Sequence, residues 1–382
     1  MEYKLEDLFD LQMGKTPSRN NPEYWNTEDN KWISIADLSK CGKYIETTKE
    51  YLSDKAVCES GISQIPANTV VMSFKLSIGK TAITPEPMYS NEAIMAFRDK
   101  HVVDLLPDYL YYLLSSRDWS AETNKAVMGK TLNKATLSKI KVSIHDIEQQ
   151  REIIDTLDKV SNIISARQQE LKKLDDLVKA RFVEMFGDPK YNKSNLIKIG
   201  EIGALTSGGT PSRAKPEYFE GDIRWYSAGE LNSLYLPDSV EHISEMALQQ
   251  SAAKLFCKGT LLIGMYDTAA FKMGILTEDS SSNQACANLN PKQEYNIVWL
   301  YYLFDIMKPI FLQERQGVRQ KNLSLSKIKE FEVPFAPFEL QNHFADFVKQ
   351  VDKLKLLCHL IRLVPRHLLF KEKVEAEKAV TK

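Results

Sequence analysis

GKTPSRNNPEYW occupies Gly14 to Trp25, and GGTPSRAKPEYF occupies Gly208 to Phe219, 194 positions further on. Two near-copies half a chain apart decide the fold if the repeat reaches beyond them, and it does. Trp32-Ile33-Ser34-Ile35-Ala36-Asp37-Leu38 matches Trp225-Tyr226-Ser227-Ala228-Gly229-Glu230-Leu231. Ser90-Asn91-Glu92-Ala93 matches Ser282-Asn283-Gln284-Ala285, and Leu110-Tyr111-Tyr112-Leu113 matches Leu300-Tyr301-Tyr302-Leu303. Leu137-Ser138-Lys139-Ile140-Lys141 recurs unchanged as Leu325-Ser326-Lys327-Ile328-Lys329, and Ile147-Glu148-Gln149-Gln150 stands opposite Phe338-Glu339-Leu340-Gln341. The offsets run between 188 and 194, close to half of the 382 residues. Such small drifts mark loop insertions between anchored elements. The order is kept along nearly the whole chain, so the chain reads as a duplicated unit.

Each half has two parts. The first is irregular and strand-like. Val70-Val71-Met72-Ser73-Phe74 and Thr260-Leu261-Leu262-Ile263-Gly264 are short apolar runs behind polar turns, the pattern of buried strands. Leu106 to Ser116 and Ile297 to Met307 read as short packed helices. The second part of each half is a long helix. Ile153, Leu157, Val160, Ile164, Leu171, Leu174 and Val178 follow steps of four and three, with Arg167 the one polar interruption. Leu340, Phe344, Phe347, Val351, Leu354, Cys358 and Ile361 do the same in the other half. A period near 3.5 predicts a coiled-coil seam, and each helix is the nearest equal partner for the other. The plainer alternative is two amphipathic helices, each packed on its own domain. Gly187-Asp188-Pro189 stops the first helix and Pro365 breaks the second. The expected class is α+β: two similar β-rich domains at 1–146 and 188–337, a spacer helix at 147–187, a pairing helix at 338–370 and a frayed tail at 371–382. A helix of residues 147–186 would be roughly 60 Å long.

Composition narrows the function classes. Fifty basic and 51 acidic residues leave a formal charge of -1, which argues against coating nucleic acid by bulk charge but not against a local basic face. No run of about eighteen apolar residues exists to span a membrane. The N-terminal MEYKLEDLFDLQMGK has no apolar signal core. Cys41, Cys58, Cys257, Cys286 and Cys358 are dispersed with no CxxC pair, which favours free thiols in a reducing cytoplasm.

Several motifs suggest chemistry and fail on inspection. A phosphate loop needs GxxxxGK[ST], but Gly14-Lys15-Thr16, Gly79-Lys80-Thr81 and Gly129-Lys130-Thr131 have Phe9, Phe74 and Asn124 where the first glycine belongs. Asn21-Pro22-Glu23-Tyr24 is a blurred amino-methyltransferase motif, yet its counterpart begins with Lys215 and no glycine-rich cofactor motif precedes either copy. The stretch is better read as a Thr-Pro turn followed by a Pro-started helical turn whose aromatic plugs the core. The six histidines have no metal-ligand spacing, and no GxSxG elbow is present.

What remains is charge at matched places. Asn124 to Lys141 carries five lysines and no acid, including Lys125, Lys130 and Lys134, with Asn133 among them. Arg315 to Lys329 carries Arg315, Arg319, Lys321, Lys327 and Lys329 and no acid, with Gln320 and Asn322 among them. Lys and Arg hold phosphates, while Asn, Gln and Arg read base edges, so both segments are candidate duplex-DNA contacts. The bland reading is a solvated surface strand. Lys75 and Lys80, and Tyr266 with Lys272, are weaker candidates in the loops that follow the apolar strands.

These residues resemble a known family. Two copies of GxTPS…PEY[WF]…W, then SN[EQ]A, LYYL, G…LSKIK and a Gln-containing helix start are similar to the specificity subunit of type I restriction–modification enzymes, over essentially the whole chain. The resemblance implies two target-recognition domains joined by two long antiparallel helices in a coiled coil, with an internal pseudo-two-fold. It implies no catalysis and no cofactor in this chain. Adenine methylation would belong to two modification subunits carrying S-adenosylmethionine. Cleavage and translocation would belong to restriction subunits using ATP with Mg. The implied target is double-stranded DNA in the cytoplasm, read as a bipartite asymmetric site. In the family a Pro-rich turn often precedes each helix. Pro334 and Pro337 fit, but Ser143-Ile144-His145-Asp146 does not. Duplex DNA has two-folds perpendicular to its axis, so an antiparallel helix pair lets both domains approach a major groove equivalently. A protein-binding coiled-coil scaffold would explain the heptads but not the matched acid-free segments. A stand-alone enzyme would need a cofactor motif that the sequence lacks.

Overall fold

The computed structural model describes residues 1–25, 27–75, 77–119, 132–315 and 322–359. They fall in two compact units, the described residues of 1–167 and of 168–359. In the first unit, a four-stranded antiparallel sheet runs in the order Phe9–Met13, Ile94–Asp99, Thr69–Ser73, Thr81–Thr84. A three-stranded sheet runs Glu50–Leu52, Asn30–Ile33, Tyr89–Ser90, with the last pair parallel. Glu2–Lys4 pairs with Lys141–Ser143. The second unit repeats this strand for strand. Its four-stranded order is Gly203–Ser207, Cys286–Pro291, Leu261–Gly264, Met273–Ile275. Its three-stranded order is Glu241–Ile243, Ile223–Tyr226, Ser281–Ser282, and Leu196–Lys198 pairs with Glu332–Pro334. The duplication in the sequence is therefore a duplication of topology.

The apolar runs are continuous because each four-stranded sheet is covered on both faces. Side chains alternate across a strand. Val70 and Met72 enter one core with Phe97, Tyr109 and Leu110, while Val71 enters another with Ile33, Ala82 and Ala96. In the second unit Leu261 and Ile263 take the helix-covered face and Leu262 takes the face shared with Tyr226. The expected helices form at Pro107–Ser115 and Ile297–Gln313, the second continuing past Met307 through Pro309.

The central helix covers Ile147–Phe186. Asp146 starts it, its Oδ1 accepting from the Gln149 N–H at 2.9 Å. Gly187, at φ +76°, ends it by donating to the Val183 carbonyl at 2.8 Å. The C-terminal helix covers Phe338–His359. Within the second unit the two run in opposite senses. Asp175 meets Lys355 at 2.7 Å, Arg181 lies 5.9 Å from the Phe347 ring, and the Phe186 and Phe344 rings lie 5.9 Å apart. Rising numbers on one helix meet falling numbers on the other.

The seam is shorter than the heptads suggest. Val178, Phe182, Phe344 and Val351 are buried in one core, with Leu174 and Phe347 packed against it. Ile153 and Leu157, expected on the helix pair, are buried instead in the first unit's own core. There they do what Phe344 and Val348 do in the second: the first turns of each helix pack onto the adjoining sheet unit. Val160, Ile164 and Leu171 are half-buried, and Leu354 is 52% exposed. The Cys358 side chain, Ile361 and the tail lie outside the described residues.

Two paired features anchor the helix starts. Gln150 and Gln341 are fully buried. Gln150 Nε2 donates to the Asp104 and His145 carbonyls at 2.8 and 2.9 Å, and its Oε1 accepts from the Leu106 N–H at 2.9 Å. Gln341 Nε2 donates to the Ala336 carbonyl at 2.7 Å, and its Oε1 accepts from the Asn296 N–H at 2.8 Å. The identical LSKIK stretches, by contrast, are not equivalent. Leu5 donates to the Ile140 carbonyl and Ile199 to the Phe331 carbonyl, both at 2.9 Å. Asn133 and Ser324 cap the two short helices. Those pairings set residues 132–141 against 323–332, so Leu137 occupies the place of Ile328 rather than that of Leu325.

Candidate nucleic-acid interface

The repeated opening stretch builds the same clamp twice. A Cβ on Gly14 would lie 2.2 Å from the Ser90 carbonyl, and one on Gly208 equally close to that of Ser282, so only glycine lets the strands approach. Trp32 Nε1 donates to the Lys15 carbonyl at 3.1 Å, and Trp225 Nε1 to that of Gly209 at 3.0 Å. Thr16 donates to Glu92, and Thr210 to Gln284. The Thr16 hydroxyl, more than any other group, holds the Glu92 carboxyl below its ordinary range. Arg19 grips Glu50 with two nitrogens and lies 3.7 Å from the Trp25 ring centre. Arg213 grips Glu241 likewise and lies 4.4 Å from that of Phe219. Pro22–Tyr24 and Pro216–Phe219 form the expected Pro-started turns. The motif is architecture, and neither arginine clamp was legible as spacing.

The two described phosphate-loop triplets offer no cradle. The Lys15 amide donates to the Ser90 carbonyl at 2.8 Å and the Gly79 amide to that of Ser73 at 2.9 Å, so these donors are engaged in the fold. Gly129-Lys130-Thr131 lies outside the described residues. No group of three or more His, Cys, Asp or Glu that could hold a metal occurs among the described residues. Among them, no helix is long and apolar enough to cross a membrane.

Lys75, Lys80, Asn133 and Lys134 in the first unit, and Tyr266, Lys272 and Asn322 in the second, gather at one equivalent place in each. In the first, the loop after Thr69–Ser73 carries Lys75 and Lys80, and the Leu132 amide docks on the Phe74 carbonyl at 3.0 Å. That bond brings Asn133 and Lys134 beside the loop. In the second, the loop after Leu261–Gly264 carries Tyr266 and Lys272, and the Leu323 amide docks on the Met265 carbonyl at 2.8 Å, which brings in Asn322. Lys80 and Lys272 are structural equivalents. The Lys80 carbonyl accepts from Ser73 at 2.9 Å, and that of Lys272 from Gly264 at 2.8 Å. By the same register Lys75 and Tyr266 correspond.

The amides have structural tasks. Asn133 Oδ1 accepts from the Thr136 N–H at 2.7 Å and caps a helix. Asn322 Oδ1 accepts from the Asp267 N–H at 3.0 Å and ties the loop to the docking segment. Arg315 donates from Nε to the Leu312 carbonyl at 3.0 Å. Lys134 is exposed. Lys125, Lys130, Arg319, Gln320 and Lys321 lie outside the described residues. The segments are acid-free in sequence but not in space: Lys141 pairs with Glu2 at 3.0 Å and Lys327 with Glu314 at 2.8 Å.

The loops also exchange an aromatic. Gly79 has φ +88°, and a Cβ there would lie 2.6 Å from Trp119 Cδ1. The equivalent residue in the second unit is Phe271, at φ +52°, whose buried ring packs 4.7 Å from that of Phe311. One loop borrows a ring from the helix side and the other supplies its own.

A family model for the type I restriction modification DNA specificity domain matches residues 1–175 and again 192–362. The specificity subunit of the type I restriction enzyme MjaIX from Methanocaldococcus jannaschii is 30% identical over 162 residues, which are 41% of this chain and 37% of that protein. The chain spans less than two fifths of the length of the curated relatives it matches. The crystal structure of the type I restriction–modification S subunit from M. genitalium matches with a TM-score of 0.53 at 14% identity, over 97% of this chain and 95% of that one. A structure concerned with complex assembly and conformational transition of the type I R–M system matches with a TM-score of 0.56, also at 14% identity, over 98% and 95%. At that identity the structures speak for the fold. With two copies of the domain covering most of its length, this chain belongs to the type I restriction–modification DNA specificity family.

Proposed function

We propose that this chain is the sequence-recognition subunit of a type I restriction–modification complex. Each recognition domain, at 1–146 and 188–337, reads one half of a bipartite target in double-stranded DNA. The helices at 147–187 and 338–370 set the unread gap and dock two modification subunits. The chain contributes recognition and no bond-making chemistry. Modification subunits carry S-adenosylmethionine and methylate adenine, and restriction subunits use ATP with Mg to translocate and cleave. The complex works in the cytoplasm, where its DNA lies. The half-sites differ because equivalent loop positions differ: Lys75 in one unit, Tyr266 in the other. The observation that carries the reading is the double match to the specificity domain, with the same sheet order in both units.

Methyl transfer from labelled S-adenosylmethionine to duplex DNA tests it, with this chain alone, the neighbouring modification subunit alone, and both. Transfer by the pair only is expected. Transfer by this chain alone would make it an enzyme. Sequence-selective transfer by the modification subunit alone would reduce the chain to a scaffold.

A further inference from the structure

Resting on that reading, we propose that residues 265–272 form a preorganised reading loop in which Tyr266 contacts the bases of one half-site and Asn322 is the positioning residue that holds it there. The loop is fixed at both ends and in the middle. The Gly264 amide donates to the Lys272 carbonyl and the Phe271 amide to the Gly264 carbonyl, both at 2.8 Å. The Leu323 amide holds the Met265 carbonyl at 2.8 Å, immediately before Tyr266. Asn322 Oδ1 holds the Asp267 N–H at 3.0 Å, immediately after it. Consecutive residues of the docking segment therefore clamp the two neighbours of Tyr266. Phe271 seats the far side of the loop, its ring buried against Phe311 and Phe331.

The backbone shows that this shape is imposed. Only five non-glycine residues among those described have positive φ, and two of them, Asp267 at 46° and Phe271 at 52°, lie in this loop. A bulky residue such as Phe271 keeps that conformation only when its surroundings over-determine it, whereas an aspartate enters it more readily, and such strain gathers where a binding geometry must be ready in advance. The side chain at the apex of the clamp is not buried by it: Tyr266 remains 41% exposed. A rigid aromatic with one hydroxyl is a low-entropy contact for a base edge or a thymine methyl, and it differs in kind from the ammonium of Lys75 at the equivalent position. Asn322 thus acts through the loop rather than as the base reader its residue type suggests.

The test uses the assembled complex with modification subunits. It compares methylation of the cognate duplex with duplexes carrying single base-pair changes in either half-site. Tyr266→Ala and Asn322→Leu should each lower discrimination about tenfold at one and the same half-site, leaving the other intact. The double variant should be no worse than Tyr266→Ala alone, since both remove one device. Asn322→Asp keeps the acceptor. Its added charge should weaken affinity for every duplex while keeping discrimination, a split that a merely structural role would not produce. Full discrimination in Asn322→Leu, equal loss at both half-sites, or Asn322→Asp failing as Asn322→Leu does would overturn the proposal. The Tyr266→Ala change is at an exposed side chain, so unchanged discrimination there would overturn it even if Asn322→Leu fails to assemble. A wild-type complex with no bipartite preference would overturn the recognition reading and this inference together.

Discussion

Gln341 and Gln150 show how much one side chain can hold. Each is a fully buried amide whose oxygen and nitrogen meet backbone groups of the loops around the helix start. Leucine of similar size would leave those groups desolvated and unpaired, so Gln341→Leu should lower unfolding free energy by about 3 kcal/mol, read from urea titration. A change under about 0.5 kcal/mol would mean that water or loop movement satisfies them. Gly79 is the second case. Gly79→Ala combines a left-handed backbone with a collision at the Trp119 indole, and should cost about 1–3 kcal/mol. Phe271 tolerates the same backbone region because its ring has its own seat. Thiol reactivity adds a pH-dependent test. Burial pushes the Cys286 thiol up to about 12, so at pH 8 almost none is thiolate. Native alkylation followed by peptide mass spectrometry should label the exposed Cys58 and Cys257, and Cys286 only after unfolding. At this scale the sequence displayed the right letters without their roles. Both glutamines stand in matched helix starts, but nothing in their spacing says that an amide closes a loop 44 to 46 residues away in sequence rather than facing solvent.

The central helix was legible in length, and the partnership of the two helices only in part. Gly187 and the apolar period gave the central helix its observed end and extent. The period records which positions are covered, not what covers them. Ile153 and Leu157 keep the heptad step because a sheet unit buries them as a second helix would. The first turns follow the plainer alternative of packing on the helix's own domain, and further along side chains of the two helices meet within the second unit. Val178 is buried beside Phe344 and Val351, whereas Leu354 is half in solvent. Val178→Asp should destabilise the second unit by at least about 3 kcal/mol, by placing an unpaired charge in the core. Leu354→Ala in the isolated chain should stay within about 0.5 kcal/mol. Denaturant midpoints for the two variants check the contrast, and equal effects would contradict the register described. The strands were legible for a different reason: a sheet covered on both faces needs apolar side chains at every position, which is the run that Val70 to Phe74 shows.

For the whole molecule, duplication was the strongest signal because many weak matches kept one order. The unchanged LSKIK pair was the weakest link, an identity three residues out of register with the backbone pairing. Base contacts were not legible. A contact depends on which loop side chain projects, and no period encodes that. We propose that exposed Lys134 contacts a phosphate. Lys134→Ala in the complex should weaken binding alike on every sequence and lower the slope of log affinity against log salt by about one. An unchanged slope with altered sequence preference would place it against bases instead. The central claim is that the twelve residues are written twice because the DNA site has two halves. The most direct measurement is co-expression with the neighbouring modification subunit and genome-wide mapping of methylated adenines by single-molecule sequencing. One asymmetric bipartite motif with a fixed gap, lost when this chain is omitted, is the expected result. Methylation that persists without the chain, or a complex that assembles and yields a continuous motif or none, would contradict it.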